Sequence, residues 1–185
     1  VVSGSHDSDP FSFDLNGTFS DAYVRDDIIK ERKIAWLNDL NGYYQVEKEI
    51  LEQCKKSLST LAKNNVVVEE IKPAANPYNL SNSWKILRSK SLYDEFVSYN
   101  LSSDEKILTV DWEIKNGQVV NETDLEEAIL WRSCWESEVN SIFKKYDYLA
   151  LPAAQVYPFN KDIPYPSNIN GKQMETYHQW MDIVV

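Results

Sequence analysis

The chain has 185 residues, enough for one domain with a sizeable core. Its composition, 43% hydrophobic with six Trp, eleven Tyr and six Phe, excludes a disordered or fibrous protein. The net charge of −10 disfavours nucleic acid or an anionic membrane surface as a partner, because both select basic patches. Since the sequence has neither a membrane-span run of about 18–20 apolar residues nor a signal-peptide layout, we expect a cytoplasmic protein.

Residues 33–73 predict a strand, a helix and a second strand. The apolar run 34–37 predicts the first strand, and Asn41-Gly42 is a turn signal. The helix is predicted from apolar residues about three and four apart: Val46, Ile50, Leu51, Cys54, Leu58, Leu61 and Ala62. The β-branched residues 66–68 predict a buried strand. Such a βαβ unit has parallel strands and a right-handed connection, so the sequence predicts an α/β domain.

Further elements are predicted on both sides of this unit. Residues 1–20, rich in Ser and Asp, predict a loop. Helical spacing predicts helices over residues 79–100 and 123–145, the second with a capping box of Thr123 and Glu126. Residues 106–121 are predicted to be irregular or briefly extended.

The last third of the chain predicts a strand, a long loop and a helix. Residues 147–151 read as a buried strand, and residues 152–171 contain four prolines without periodicity. Long loops in compact domains are more often functional than not. A final helix is predicted over residues 172–182, because four side chains would share one face: Met174, Tyr177, Trp180 and Met181. Since both chain ends are abrupt and apolar, residues 1–185 predict a single, partial α/β domain.

The sequence contains no recognisable catalytic constellation. Five glycines, none adjacent, give no P-loop or dinucleotide fingerprint, and there is no G-x-S-x-G elbow. His6 and His178 are the only histidines, scarcely enough for a Ser-His-Asp triad. His6 with Asp7 and Asp9 makes a weak metal motif, since no further histidine is near. We predict no catalytic residue, no metal and no cofactor within this chain.

Three other polar residues are interpreted as structural rather than catalytic. Cys54 and Cys134 fall within helical patterns and are predicted to be buried free thiols of a reducing compartment, not a disulfide. Their apolar surroundings argue against a thiol enzyme. His178 is predicted to be an exposed or hydrogen-bonded helix residue, with a role in a pocket as the alternative.

Three stretches, in order, resemble the amidase signature family of hydrolases. Residues 4–12, GSHDSDPFS, resemble the family's segment of glycine, aspartate and Asp-Pro. Residues 33–73 resemble its R-I-A-W strand, turn, long helix and strand ending in proline. Residues 142–159, IFKKYDYLALPAAQVYPF, resemble its Asp-x-Leu-x-x-Pro strand and loop. The family's frequent Asp is replaced here by His6, and its frequent Thr by Ala153.

The resemblance implies an amidase-fold fragment: part of a mixed, largely parallel sheet flanked by helices. Family members cleave a carboxylic amide C–N bond with a Ser–cis-Ser–Lys triad, whose nucleophilic serine forms an acyl-enzyme. No serine or lysine here matches that triad, so the resemblance implies a triad before Val1 and an inactive fragment. It also implies an acyl pocket built from the Pro-rich loop and the last helix: Ala153, Ala154, Gln155, Tyr157, Tyr177 and Trp180.

Two other interpretations remain open. A non-catalytic α/β binding module would explain the missing triad, although a module usually ends in polar linkers. A subunit of a glutamine-dependent amidotransferase is a variant within the family, but the glutamine-containing helix expected before the Asp-x-Leu strand is replaced by Leu130-Trp131-Arg132. We expect a small-molecule amide as the partner, neither nucleic acid nor membrane, and leave a homodimer open.

Overall fold

The structure is a computed structural model that describes residues 5, 7, 8, 12, 31–99 and 108–184. Within these residues it contains four α-helices, a three-stranded sheet, a two-stranded hairpin and a short 3-10 helix, Asp182–Val184. The loop predicted over residues 1–20 therefore lies almost entirely outside the described residues, as do His6 and Asp9. The four helices in the described part are each too short or too polar to span a bilayer.

Three parallel strands form the sheet. β1 (Lys33–Trp36) lies between β2 (Val67–Glu70) and β3 (Tyr148–Ala150). Ile34 is opposite Val68 on one side and Tyr148 on the other. As the central strand, β1 has three consecutive buried residues at its end, which explains why its sequence is continuously apolar. The α/β fold class predicted from the sequence is confirmed.

The βαβ unit is confirmed by the parallel pairing of β1 and β2. Its connecting helix, α1 (Lys48–Ala62), follows Glu47 and contacts β2. The apolar stripe of α1 is only half buried, and Ala62 is exposed. The helix thus covers one edge of the sheet without burying any side chain completely.

Asp147 fastens β3 to the start of β1. Its two carboxylate oxygens accept hydrogen bonds from the Nη1 of Arg32 and the backbone N–H of Lys33, both at 2.8 Å. Accepting the N–H of Lys33 is the largest cause that lowers the pKa of Asp147; burial opposes it, and the interaction with Arg32 lowers the pKa further. This is the aspartate of the Asp-x-Leu-x-x-Pro stretch, and its role here is to set the strand register.

Three helices pack together beside the sheet. α2 (Pro77–Tyr99) contacts both α3 (Leu108–Gln118) and α4 (Glu122–Phe143). At the contact of α2 with α3, a Cβ on Gly117 would lie 2.1 Å from the carbonyl oxygen of Ser89. Only glycine allows the two backbones to approach so closely.

The prediction that residues 106–121 are irregular or extended is wrong, because α3 occupies residues 108–118. The helix faces the core with the carboxylate of Glu113, so its inward face lacks the apolar periodicity that predicts a helix. The capping box of α4 also lies two residues earlier than predicted. The side chain of Asn121 accepts the N–H of Asp124, whose carboxylate accepts the N–H of Asn121.

The helix predicted over residues 172–182 does not form. Strands β4 (Asn168–Ile169) and β5 (Lys172–Gln173) make an antiparallel hairpin instead. Asn170 and Gly171 connect them, both with positive φ, and Asn-Gly is the preferred pair for such a two-residue turn. That dipeptide was a sequence signal for the hairpin, and the four spaced aromatic and Met residues were misleading.

The cysteines depart in part from expectation. Both thiols are free, but Cys54 is only half buried and Cys134 is exposed on α4. The prediction of two buried thiols is therefore wrong. Burial of Cys54 raises its pKa.

Candidate functional site at the carboxyl ends of the strands

A cleft of about 810 Å³ lies where β1 and β3 end. Leu37 follows β1, Leu151 and Pro152 follow β3, and all three line the cleft. Parallel sheets bind ligands at the carboxyl ends of their strands. The volume falls within the range of about 300–1,000 Å³ that is usual for small-molecule sites.

The walls of the cleft are mainly apolar. α2 contributes Leu80, Trp84 and Leu87, and α4 contributes Trp135. Polar side chains interrupt this lining at a few points: Ser81, Ser83, Arg88, Arg132 and Asp182. An apolar container with a small number of polar groups is the usual design of a site that binds an organic molecule in one orientation.

The turn after β1 is strained. Asn38, Leu40 and Asn41 all have positive φ, and Leu40 (φ 51°) is buried in the cleft wall. For a residue with a Cβ, the left-handed conformation costs about 1–2 kcal/mol. The carboxylate of Asp39 supports the turn by accepting the N–H of Gly42 at 2.8 Å. The strain is tolerated because this conformation places the Leu40 side chain in the wall.

Among the described residues that line the cleft, Asp182 is the one with an acidic side chain. It is 5% exposed, and its Oδ2 accepts a hydrogen bond from the Oγ of Ser81 at 3.0 Å. Its Oδ1 is buried and has no hydrogen-bond partner among the described residues. Burial, and secondly the charge of Asp182, raise the pKa of Tyr44 in the same wall, so that this phenol stays neutral.

A second buried carboxylate, that of Glu113, lies behind the cleft. Its Oε1 accepts hydrogen bonds from the Nε of Arg88 (2.8 Å), the hydroxyl of Tyr177 (2.6 Å) and the Nε2 of His178 (2.9 Å). Its Oε2 accepts the hydroxyl of Ser89 at 2.5 Å. Burial acts to raise the pKa of Glu113, but these hydrogen bonds, with His178 first, lower it to about 2. We call these five residues the Glu113 cluster.

The Glu113 cluster determines which ring nitrogen of His178 acts as a hydrogen-bond donor. Because Glu113 is ionised and can only accept, Nε2 of His178 carries a proton. The imidazole is completely buried, with the rings of Trp84 and Trp112 packed edge-on against it at 5.1 and 4.9 Å. His178 is hydrogen-bonded as predicted, but it lies in a turn, outside any helix, and is not exposed.

The Pro-rich loop places its predicted site residues differently. Ala153 lines the cleft, whereas Ala154 is exposed and outside the lining. Tyr157 is half exposed, and its N–H donates to Glu47 at 2.8 Å.

Gln155 is buried and ties three segments together. Its amide donates to the backbone carbonyls of Gln45 and Gln179 and accepts the N–H of Ile183.

The two aromatic residues of the predicted set that follow β5, Tyr177 and Trp180, have different surroundings. Tyr177 belongs to the Glu113 cluster, where burial and Glu113 raise its pKa to about 12. Trp180 packs edge-on against Phe159, with 5.2 Å between ring centroids. Of the six predicted residues, the lining of the cleft includes Ala153 and none of the other five.

Three important residues were missed by sequence reasoning. Ser81 and Asp182 are 101 positions apart, and Glu113 is 65 positions from His178. None of them belongs to a motif, so only the folded structure identifies them. Among the described residues, no group of three or more His, Cys, Asp or Glu side chains is placed to hold a metal ion.

Comparisons with known proteins give matches among solved structures alone. No protein-family model matches the chain, and no curated protein sequence matches it. The chain is similar to a bacterial aryl acylamidase of the amidase signature family, with a TM-score of 0.76 and 18% identity over 96% of this chain and 39% of the other.

Two structures of 6-aminohexanoate cyclic dimer hydrolase, one complexed with substrate, are also similar. Each gives a TM-score of 0.69 and 14% identity over 99% of this chain and 41% of that enzyme. The chain thus spans about two fifths of the length of the solved enzymes that it matches. The chain has the fold of the corresponding part of amidase signature enzymes, which confirms at the level of fold the resemblance seen in the sequence.

Proposed function

We propose that this chain is part of an amide hydrolase that cleaves a carboxylic amide C–N bond through an acyl-serine intermediate. The observation that carries the proposal is the match of 96% of the chain to an amidase signature enzyme. The cleft at the carboxyl ends of β1 and β3 supports it, because α/β enzymes bind their ligands there.

In this proposal the chain supplies binding and orientation, and the reacting groups come from the rest of a longer protein. A serine there attacks the amide carbonyl, the amine leaves, and water releases the acyl group from the serine. The apolar walls around Trp84 and Trp135 hold the substrate and exclude water from it. Since no catalytic residue is assigned within these 185 residues, the chain alone is expected to hydrolyse nothing.

The residues proposed to contact or support the substrate belong to the loop after β3 and to the turn after β5: Ala153, Ala154, Gln155, Tyr157, Tyr177 and Trp180. Ala153 is supported as a direct contact, because it lines the cleft. Gln155 and Tyr177 are proposed to hold the wall in position, because Gln155 accepts the N–H of Ile183 in the lining and Tyr177 donates to Glu113. We propose a small-molecule amide as the partner, and a cytoplasmic location in which both free thiols stay reduced.

The proposal is tested by assaying the chain beside the longer protein that contains it. Release of ammonia or amine is measured on a panel of simple amides, together with labelling by a fluorophosphonate that reacts with activated serines. We expect the longer protein to be labelled and active and the 185-residue chain to be silent. If both are silent, a non-catalytic binding module is favoured instead, and labelling of the short chain would place a nucleophile within it.

A substitution in the longer protein tests the cleft itself. Ala153→Trp fills the cleft and should lower kcat/KM at least tenfold, mostly for the bulkiest acyl groups. Ala62→Trp, at the exposed end of α1, makes the same chemical change away from the cleft and is the matched control. Equal activity of both variants on all acyl groups would contradict the placement of the substrate in this cleft.

A further inference from the structure

Asp182 is an incompletely paired acceptor in a mainly apolar wall. Ser81 supplies its one hydrogen bond among the described residues, on Oδ2, while Oδ1 has none. None of the ion pairs between described residues includes Asp182. Native proteins satisfy nearly all buried polar atoms, and an exception calls for a functional explanation.

One of the two arginines in the cleft lining, Arg88, is already engaged, and no ion pair between described residues joins the other, Arg132, to Asp182. Arg88 donates its Nε to Glu113 at 2.8 Å. The phenols of Tyr43 and Tyr44 cannot offset the charge of Asp182 either, because a phenol has no positively charged form. Burial raises the pKa of both phenols, so they stay neutral. One buried carboxylate oxygen of Asp182 therefore has no partner among the described residues of the cleft.

We propose that the cleft binds an apolar group bearing a primary amine, and that the carboxylate of Asp182 is the acceptor for that amine. The inference rests on the proposed amide hydrolase and names the substrate class of its cleft: amides with an amino group on an aliphatic or aromatic chain. Leu37, Leu151 and Trp135 pack against the chain, and Ser81 holds the carboxylate in place. A ligand that donates a hydrogen bond to a buried acceptor binds more tightly than a ligand of similar shape that leaves the acceptor unpaired.

The chain length follows from the cleft. Its volume of about 810 Å³ accommodates a chain of several methylene groups or one aromatic ring beside a reacting amide. The lining is mainly apolar and includes six leucines and two tryptophans, which favour a long apolar segment rather than a sugar or a nucleotide.

The experiment measures binding without turnover, so that its failure is separate from any failure of the amidase proposal. Hexylamine, 1-hexanol and hexanoate are titrated into the 185-residue protein by calorimetry at pH 7 and constant ionic strength. At this pH the amine is protonated, as an alkyl amine with a pKa near that of lysine should be. We expect hexylamine to bind at least tenfold more tightly than 1-hexanol, and hexanoate to bind most weakly.

Two variants assign the preference to Asp182. Asp182→Asn keeps the shape and an acceptor for Ser81 but removes the charge, and should weaken hexylamine at least tenfold while changing 1-hexanol less than twofold. Asp162→Asn makes the same change on the exposed loop and should leave all three affinities unchanged. Circular dichroism checks that each variant is folded.

A third variant does not touch the carboxylate. Leu151→Trp, at a partly exposed position of the lining, should weaken hexylamine and 1-hexanol alike by filling the cleft. The inference is overturned if the wild-type protein binds none of the probes, if hexanoate equals or exceeds hexylamine, or if Asp182→Asn leaves the ratio of amine to alcohol unchanged. A preference for hexanoate would indicate recognition by Arg132 instead.

Discussion

The two buried carboxylates beside α2, those of Glu113 and Asp182, differ in how completely they are hydrogen-bonded. Glu113 accepts four hydrogen bonds and is 1% exposed, whereas Asp182 accepts one and is 5% exposed. Both lie in chain segments that pack on the same helix. The hydrogen bonds of the Glu113 cluster therefore join α2, α3 and the segment after β5. Asp182, in contrast, has one oxygen without a partner among the described residues, at the wall of a cleft.

This difference separates a structural carboxylate from one that is available to a ligand. A buried carboxylate with all of its lone pairs satisfied stabilises the protein only as long as its partners remain. A buried carboxylate with an unpaired oxygen contributes little to the stability of the protein, and a ligand that donates a hydrogen bond to this oxygen stabilises it further. Substitutions at the two positions should therefore differ strongly in the free energy of unfolding.

The largest effect is expected at Glu113. Glu113→Ala leaves Arg88 and buried hydroxyls without their acceptor and should lower the free energy of unfolding by about 3–5 kcal/mol. Urea denaturation followed by tryptophan fluorescence measures the change. Glu126→Ala, an exposed position on α4, is the control and should stay within about 0.5 kcal/mol. A loss below about 1 kcal/mol at Glu113 would contradict the central role of the cluster.

Acid should weaken the protein through the same group. The pKa of Glu113 is lowered from 4.5 to about 2, so its stabilisation is complete above pH 4.5 and is lost as the pH falls toward 2. The size of the shift corresponds to about 3 kcal/mol. Denaturation midpoints measured from pH 6 to pH 2.5 should fall for the wild-type protein. The slope should be shallower in Glu113→Gln, and an identical slope would assign the acid sensitivity to other carboxylates.

Gly117 should give the next effect. Gly117→Ala brings a Cβ to 2.1 Å from the carbonyl of Ser89 and forces α3 away from α2. We expect a loss of about 1–3 kcal/mol, the usual cost of overpacking. Gln118→Ala, on the exposed side of the same helix, is the control. An unchanged melting temperature for Gly117→Ala would show that the helices can separate without cost.

The smallest change is expected at Asp182. Asp182→Asn keeps the hydrogen bond of Ser81 and removes a buried charge, so the free energy of unfolding should shift by less than about 1 kcal/mol. The same urea titration used for Glu113 measures it. A loss as large as that of Glu113→Ala would make Asp182 a structural residue and remove the contrast between the two carboxylates.

The sequence predicted those parts of the fold that depend on local patterns. The continuous apolar run at β1 and the helical stripe of α1 identified the βαβ unit. The helices found at residues 77–99 and 122–143 were also predicted from apolar residues at helical spacing, although few of those residues are fully buried. α3 was missed because Glu113 occupies the position where an apolar residue would complete its pattern. The hairpin at Asn170-Gly171 was missed because aromatic spacing outweighed a turn signal.

The candidate site was only partly predictable. The loop after β3 was identified because Pro-rich segments after a buried strand are recognisable, and Ala153 lines the cleft. Ser81 and Asp182 come together from positions 101 residues apart, and neither carries a local signal. Pairing of isolated polar residues depends on how the helices cross the sheet, which one sequence does not specify.

The register contact between Lys33 and Asp147 has a consequence for the order of folding. The two residues are 114 positions apart, so β1 is made long before the strand that completes its second edge. At synthesis rates of about 5–20 residues per second, β1 waits roughly 6–23 s for β3. During this interval β2, which α1 connects to β1, can already pair with β1. The carboxyl-end cleft is therefore assembled last, when the segment carrying Asp182 closes over helices that are already in place.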